Sequence, residues 1–156
     1  MVLEIYTGYY ANLRKYLAGG CVPIGISVGT PKYLEGNTNI SYLRKLAPSY
    51  ALLRVDDEAE YTRRYKAEIL GRLDRHDVLV DIARIIHERG GTGKAVLMCY
   101  EKPPKFCHRS LVAEWLNEGK IINFQVREYG YTPLQPETKK EPEQLDLFRD
   151  WEPQGG

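Results

Sequence analysis

The sequence is poor in everything that marks a secreted, cross-linked or membrane-bound protein. Among 156 residues there are three cysteines, Cys21, Cys99 and Cys107. An odd and small number cannot frame a disulfide-stapled fold. No apolar run approaches the roughly 20 residues that cross a bilayer, so no membrane partner is expected. The opening MVLEIYTGYY lacks the basic start and apolar centre of a secretory signal. The expected setting is a reducing cytoplasm. Charge of one sign is also missing: 22 lysines and arginines stand against 21 aspartates and glutamates. That balance excludes a broad basic face that grips nucleic acid unaided and leaves only weak or indirect contact. Metal-ligand spacing is absent as well. There is no C-x-x-C pair, and Cys21, His76 and His87 are scattered. Cys107 and His108 are sequence neighbours, a poor spacing for meeting on one ion. Neither a metal nor another cofactor is expected.

What is present fits one soluble domain. Apolar residues make up 43% and charged residues 28%, ordinary values for a globular chain long enough to bury a sizeable core. Short apolar runs alternate with helical patterns. Residues 2–6, 22–28, 50–55, 95–99 and 121–126 read as five strands. Helices are expected over 12–18, 41–46, the stretch capped by Asp57, a second stretch capped by Asp77, and 110–118. Tyr61, Tyr65, Ile69 and Leu73 recur every four residues along one face, and Arg64 and Glu68 are spaced to pair. The alternation predicts a three-layer α/β domain over 1–130, with a mostly parallel five-stranded sheet of flavodoxin-like or Rossmann-like type. Residues 131–156 are rich in proline and glutamate and read as a flexible tail.

Chemistry concentrates in residues 99–109, CYEKPPKFCHR, between an apolar strand and a helical pattern. Cys99 should end the strand, and Cys107, His108 and Arg109 should open the helix. Helix starts expose unpaired N–H groups and partial positive charge, which favours anions and lowers a thiol's pKa. The physical reading is an anion pocket with an activated thiol. In it Arg109 holds a phosphate-like group, Cys107 is nucleophile, His108 its partner, and Glu101 acid or base. Each residue has a plainer reading: Cys99 as a buried small hydrophobe, Cys107 and His108 as helix-start packing, Glu101 as a structural partner of Arg109. A Cys99–Cys107 disulfide requires Cα atoms within about 7 Å. Ligands of parallel α/β sheets sit beyond the carboxyl ends of strands, so Tyr6, Thr7, Tyr9 and Lys32 are expected to line the same pocket.

The run Cys99, Glu101, Pro104, Cys107, His108, Arg109, followed by SLVAEWL, resembles the DUF488 signature C-x-E-x-x-P-x-x-C-H-R and its helix. The opening IYTGYY, the segment PIGISVGTPKY, LAPSY and the helix ending ILGRLD are similar to other parts of that family, over residues 4–129. The resemblance implies an α/β fold without fixing a reaction. Many members carry an arginine after the second strand; here Gly29, Thr30, Pro31 and Lys32 stand there instead. The C-x5-R-[ST] loop of cysteine phosphatases is matched less well, because Cys99 to Arg109 is C-x9-R and two prolines remove backbone donors.

In the tail, Gln144, Leu145, Asp146, Leu147 and Phe148 resemble the bacterial sliding-clamp-binding motif Q-L-[SD]-L-F. The resemblance implies a sliding-clamp partner and a place in DNA repair or replication. Gln144 would bond at the pocket mouth while Leu145, Leu147 and Phe148 fill it. The spacing of residues 144, 147, 148 and 151 is also helix-like, so docking of Leu145, Leu147, Phe148 and Trp151 on the chain's own domain is the alternative to the favoured clamp reading. Two functions therefore stand. One is an enzyme on a phosphate-bearing or nucleotide-like substrate, recruited to DNA by the clamp. The other is a non-catalytic clamp-binding adaptor, sensor or inhibitor. A thiol redox sensor built on Cys99 and Cys107 is a third.

Overall fold

The computed structural model of the chain describes residues 2–102, 105–120 and 124–130. Its elements run β1 (Glu4–Tyr9), α1 (Leu13–Ala18), β2 (Val22–Gly25), β3 (Ser41–Tyr42), α2 (Tyr50–Leu53), α3 (Glu58–Glu68), α4 (Arg75–Glu88), β4 (Lys94–Cys99), α5 (Arg109–Glu118) and β5 (Arg127–Glu128). The five strands form one sheet in the order β3-β2-β4-β1-β5, with every pair parallel. The three-layer parallel α/β expectation holds. The order itself belongs to neither the flavodoxin nor the Rossmann series, because β4 enters between β2 and β1.

β4 is the axis of the sheet. It pairs with β1 from Lys94 to Cys99 and with β2 from Ala95 to Met98. Every residue from Ala95 to Cys99 is buried, as a central parallel strand covered on both faces requires. Alternate side chains feed two cores. Ala95 and Leu97 join Ile24, Leu79, Ile82, Ile86 and Val112 in the larger one, beneath α4 and α5. Val96 and Met98 join Tyr10, Leu13, Tyr16 and Cys21 in the smaller one, beneath α1. Gly8 makes the smaller core possible. A Cβ there would stand 2.2 Å from the Tyr16 hydroxyl oxygen, the same atom that accepts a hydrogen bond from the Tyr9 backbone N–H.

Several boundaries differ from the sequence expectation. Residues 41–46 are not a helix: Ser41–Tyr42 form the edge strand β3, followed by a 3-10 turn over Arg44–Leu46. Residues 50–55 are not a strand. The Ser49 hydroxyl accepts from the Leu52 N–H and nucleates the short helix α2, a local cap that outweighs an apolar run of ambiguous period. α4 is capped by Asp74, which accepts from the Asp77 N–H, so the cap lies three residues earlier than expected. Among the described residues the last strand is Arg127–Glu128, and residues 124–126 are not strand. Residues 121–123 lie outside the described residues, and the backbone of Val126 is taken by the side chain of Asn117 at 2.8 and 3.0 Å, leaving no ladder partner there. β1 runs on to Tyr9, so YTGY is strand and not the loop beyond it. The Asp57 cap and the Arg64–Glu68 pair stand where expected. Among the described residues no helix is long and apolar enough to cross a membrane.

Candidate functional site

A cleft of about 520 Å³ opens beyond the carboxyl ends of β2 and β4. Ser27, Val28 and Gly29 leave β2 on one side of it; Cys99, Tyr100 and Glu101 leave β4, and Phe106, Cys107 and His108 lead into α5. Pro48, Leu53, Val55, Tyr61, Tyr100 and Phe106 make most of its lining apolar or aromatic. No lysine or arginine is among the described lining residues.

Cys99 and Cys107 meet in this cleft. Their Cα atoms are 6.9 Å apart and their sulfurs are joined in a disulfide. Cys99 is fully buried, whereas Cys107 is half-buried. His108 is buried and its imidazole is oriented at both nitrogens. Nε2 donates to the Ile26 carbonyl oxygen at 2.7 Å, and Nδ1 lies 3.9 Å from Cys107 Sγ. With Nε2 protonated and bonded to the carbonyl, the Nδ1 lone pair faces the sulfurs. Burial pushes the His108 pKa down to about 4; the Ile26 contact opposes this shift, and the Arg109 charge reinforces it. His108 is therefore neutral at pH 7. Tyr65 lies against its ring at 5.5 Å, and Tyr61, stacked on Tyr65, meets Phe106 edge-on.

Arg109 points elsewhere. It is 4% exposed, and its guanidinium forks onto Glu128: Nε to Oε1 at 2.9 Å and Nη2 to Oε2 at 3.2 Å. Nη1 donates to Cys99 Sγ at 3.1 Å and also to the Glu101 carbonyl oxygen. Thr7 Oγ1 donates to the same Glu128 Oε1 at 2.7 Å, and the Tyr9 ring lies 5.9 Å from the guanidinium carbon.

A family model described as the active DUF488-N3 subclade matches residues 10–120, well over half of the chain. The chain belongs to the DUF488 family. No curated protein and no solved structure matches it. The DUF488 match takes in both cysteines, His108 and Arg109, but not Thr7, Tyr9 or Glu128.

In this DUF488 chain the structure brings together Cys99, Cys107 and His108, and Glu101 at the rim, as the signature suggested. The Glu101 side chain is exposed and 3.9 Å from Lys105, so the structural partner of Arg109 is Glu128 and not Glu101. The fork expected to hold a ligand anion is filled by that carboxylate. Tyr6, Thr7 and Tyr9 do not line the cleft: Tyr6 donates to Glu4, and Thr7 and Tyr9 belong to the seat of Arg109. Lys32 is exposed in a 3-10 turn and also stays out of the cleft; the guanidinium that reaches the exit of β2 is Arg44, bonded to the Val28 carbonyl at 2.6 Å. Pro104 and the motif residues Gln144, Leu145, Leu147 and Phe148 lie outside the described residues. The spacing argument against a metal needs correction, because both sulfurs and an imidazole nitrogen lie within 4.8 Å of one another. Glu128, Ser27 and the Ile26 carbonyl were not foreseen. Ser27 is buried, accepts from the Tyr10 hydroxyl and donates to the Gly29 carbonyl, both at 2.6 Å, which fixes the loop that walls the cleft.

Proposed function

We propose that this DUF488 protein is a thiol-based enzyme that exchanges the Cys99–Cys107 disulfide with a sulfur-bearing substrate in the cleft. The observation that supports it is an asymmetric pair: half-buried Cys107 on the cleft beside His108 Nδ1, and fully buried Cys99 beside Arg109. A neighbouring guanidinium stabilises thiolate, and a stabilised thiolate leaves faster in exchange. Cys107 is then the sulfur that meets substrate, and Cys99 the one that resolves. In the reducing direction the Cys107 thiolate attacks a substrate disulfide and releases one substrate thiolate. The Cys99 thiolate next attacks Cys107 Sγ and releases the second. The dithiol is oxidised by two electrons, and the substrate disulfide becomes two thiols. Neutral His108 accepts a hydrogen bond from the Cys107 thiol and orients it. A phosphate-bearing ligand is less well served, since the described lining residues include neither arginine nor lysine. The matched subclade's description as active agrees with an enzyme.

The test is turnover of an aromatic disulfide by the full chain, with a dithiol regenerating it. Wild type and Cys21→Ser should turn over alike, and Cys107→Ser should be inactive. Equal rates in wild type, Cys99→Ser and Cys107→Ser would falsify the proposal and leave the adaptor reading. For the partner, we propose that residues 144–148 dock on a bacterial sliding clamp, on the strength of QLDLF alone. The full chain should co-migrate with purified clamp, and Leu147→Ala with Phe148→Ala should abolish this; no co-migration ends the idea.

A further inference from the structure

We infer that the reduced chain holds one zinc-class cation on Cys99 Sγ, Cys107 Sγ and His108 Nδ1, with a fourth position open to the cleft. The inference uses the cysteine pair of the proposed function but not its turnover. A dithiol reductant first cleaves the disulfide and is itself oxidised; the ion then displaces two thiol protons to solvent.

Geometry carries the inference. Tetrahedral zinc, with Zn–S about 2.3 Å and Zn–N about 2.0–2.1 Å, sets sulfur and nitrogen about 3.6 Å apart and two sulfurs about 3.8 Å apart. His108 Nδ1 already stands 3.9 Å from Cys107 Sγ. The Cα separation of 6.9 Å is at the outer end of what a disulfide closes. Once reduced, the sulfurs part to ordinary non-bonded contact, which is close to the spacing the ion needs, by side-chain torsion alone.

The surroundings match a metal site at two further points. Ligating histidines donate their other ring N–H to a carbonyl or carboxylate, which fixes the tautomer. His108 does so through Nε2 to the Ile26 carbonyl at 2.7 Å, leaving Nδ1 as the ligand atom. A coordinating thiolate takes hydrogen bonds from its outer shell; Arg109 Nη1 donates to Cys99 Sγ at 3.1 Å. Charge also closes. Two thiolates cancel a dication, the imidazole is neutral, and Arg109 is already balanced by Glu128, so no unpaired charge is buried. Soft sulfur with imidazole selects zinc over magnesium or calcium. All three ligand residues line the cleft. Three protein ligands with an open fourth position is the pattern of a reactive zinc, ready for water or a substrate thiolate, and not of a closed structural one.

The experiment uses the full chain, reduced and desalted under nitrogen. It is titrated with Zn²⁺ alone against a chromophoric chelator, and in parallel with Co²⁺. The expected result is one ion per chain, a thiolate-to-cobalt charge-transfer band, and no binding after the disulfide is re-formed. Cys99→Ser and Cys107→Ser should each weaken zinc by about 100-fold or more, His108→Ala by about 10-fold or more, and Cys21→Ser not at all. The inference is overturned by absence of the charge-transfer band, by equal affinity in the disulfide form, or by a loss that follows Cys21. The first two readouts need no variant, so a variant that fails to fold does not rescue the idea. Disulfide exchange without zinc binding sinks this inference alone; zinc binding without exchange sinks the proposed function alone.

Discussion

His108 and Arg109 are consecutive residues that serve opposite halves of the sheet's carboxyl edge. His108 reaches toward β2, bonds the Ile26 carbonyl and turns its free nitrogen to the sulfurs of an open cleft. Arg109 reaches toward β1 and β5 and is sealed against Glu128, Thr7 and Tyr9. Successive side chains at the start of a helix project about 100° apart, so neighbours in sequence must meet different surroundings. The two halves also differ in kind. One is an unfilled space lined by a neutral imidazole and a disulfide; the other is a buried guanidinium forked onto a carboxylate. The contact between them is Cys99, whose sulfur is bonded to Cys107 and accepts from Arg109. A signature that reads as one cluster thus divides into a half that faces the cleft and a half tied to an ion pair, sharing one sulfur.

The sharpest way to break this comparison is to remove the charge from the sealed half. Arg109→Met leaves the Glu128 carboxylate and its Thr7 contact without the fork, and should cost about 3–5 kcal/mol of stability in urea denaturation. Arg109→Lys should recover less than half of that, because a point charge cannot bond both carboxylate oxygens and Cys99 at once. A loss below about 1 kcal/mol in Arg109→Met would return Arg109 to the pool of ligand-binding residues.

The next effect tests the open half in the disulfide form. The folded His108 pKa, about 4, lies below the ordinary value of 6.5 because burial disfavours the charged ring. The unfolded chain therefore binds a proton in a window where the folded one does not. Stability is full above pH 6.5 and falls as pH drops toward 4, by about 3 kcal/mol in total from this group. Denaturation midpoints across pH 4–7 should show that loss in wild type, and His108→Gln should flatten it by about one proton. An unchanged pH profile in the variant would mean that the ring is solvated and the cleft wall misplaced.

Much of the fold was legible because the signals were local and strong. KAVLMC has no polar residue after its lysine and became the central strand; Asp57 and Glu60 marked a helix start that is where it should be. What failed was either ambiguous in period or decided by distant partners. YALLRV has an apolar run that suits a buried strand, and only the Ser49 cap selects helix. Ser41–Tyr42 is a strand because Ile24 and Gly25 lie beside it, not because of its own two residues. At the site, the signature gave the cysteines, His108 and their convergence beyond a strand end. It could not give Glu128, which stands 19 residues from Arg109 with no periodic link to it. With that partner unseen, Arg109 looked free for an anion, and Thr7 and Tyr9 looked free for a substrate.

Glu101 supplies the smallest effect and the finest test of the division. It sits in the signature two residues after Cys99, the natural candidate to neutralise Arg109. Yet its contribution to Arg109 is its backbone carbonyl; its carboxylate faces solvent 3.9 Å from Lys105, with both side chains about half exposed or more. An exposed pair at that distance adds little, so Glu101→Gln should change stability by less than about 0.5 kcal/mol. Glu128→Gln, which leaves one amide oxygen to accept from Arg109 but removes the charge, should cost several times more. The pair of variants separates the two carboxylates by place in the fold and not by place in the motif. If Glu101→Gln nevertheless slows disulfide turnover while denaturing like wild type, the glutamate belongs to the open half, at the rim where a substrate enters. If it destabilises the chain as much as Glu128→Gln, the boundary between the halves is drawn in the wrong place.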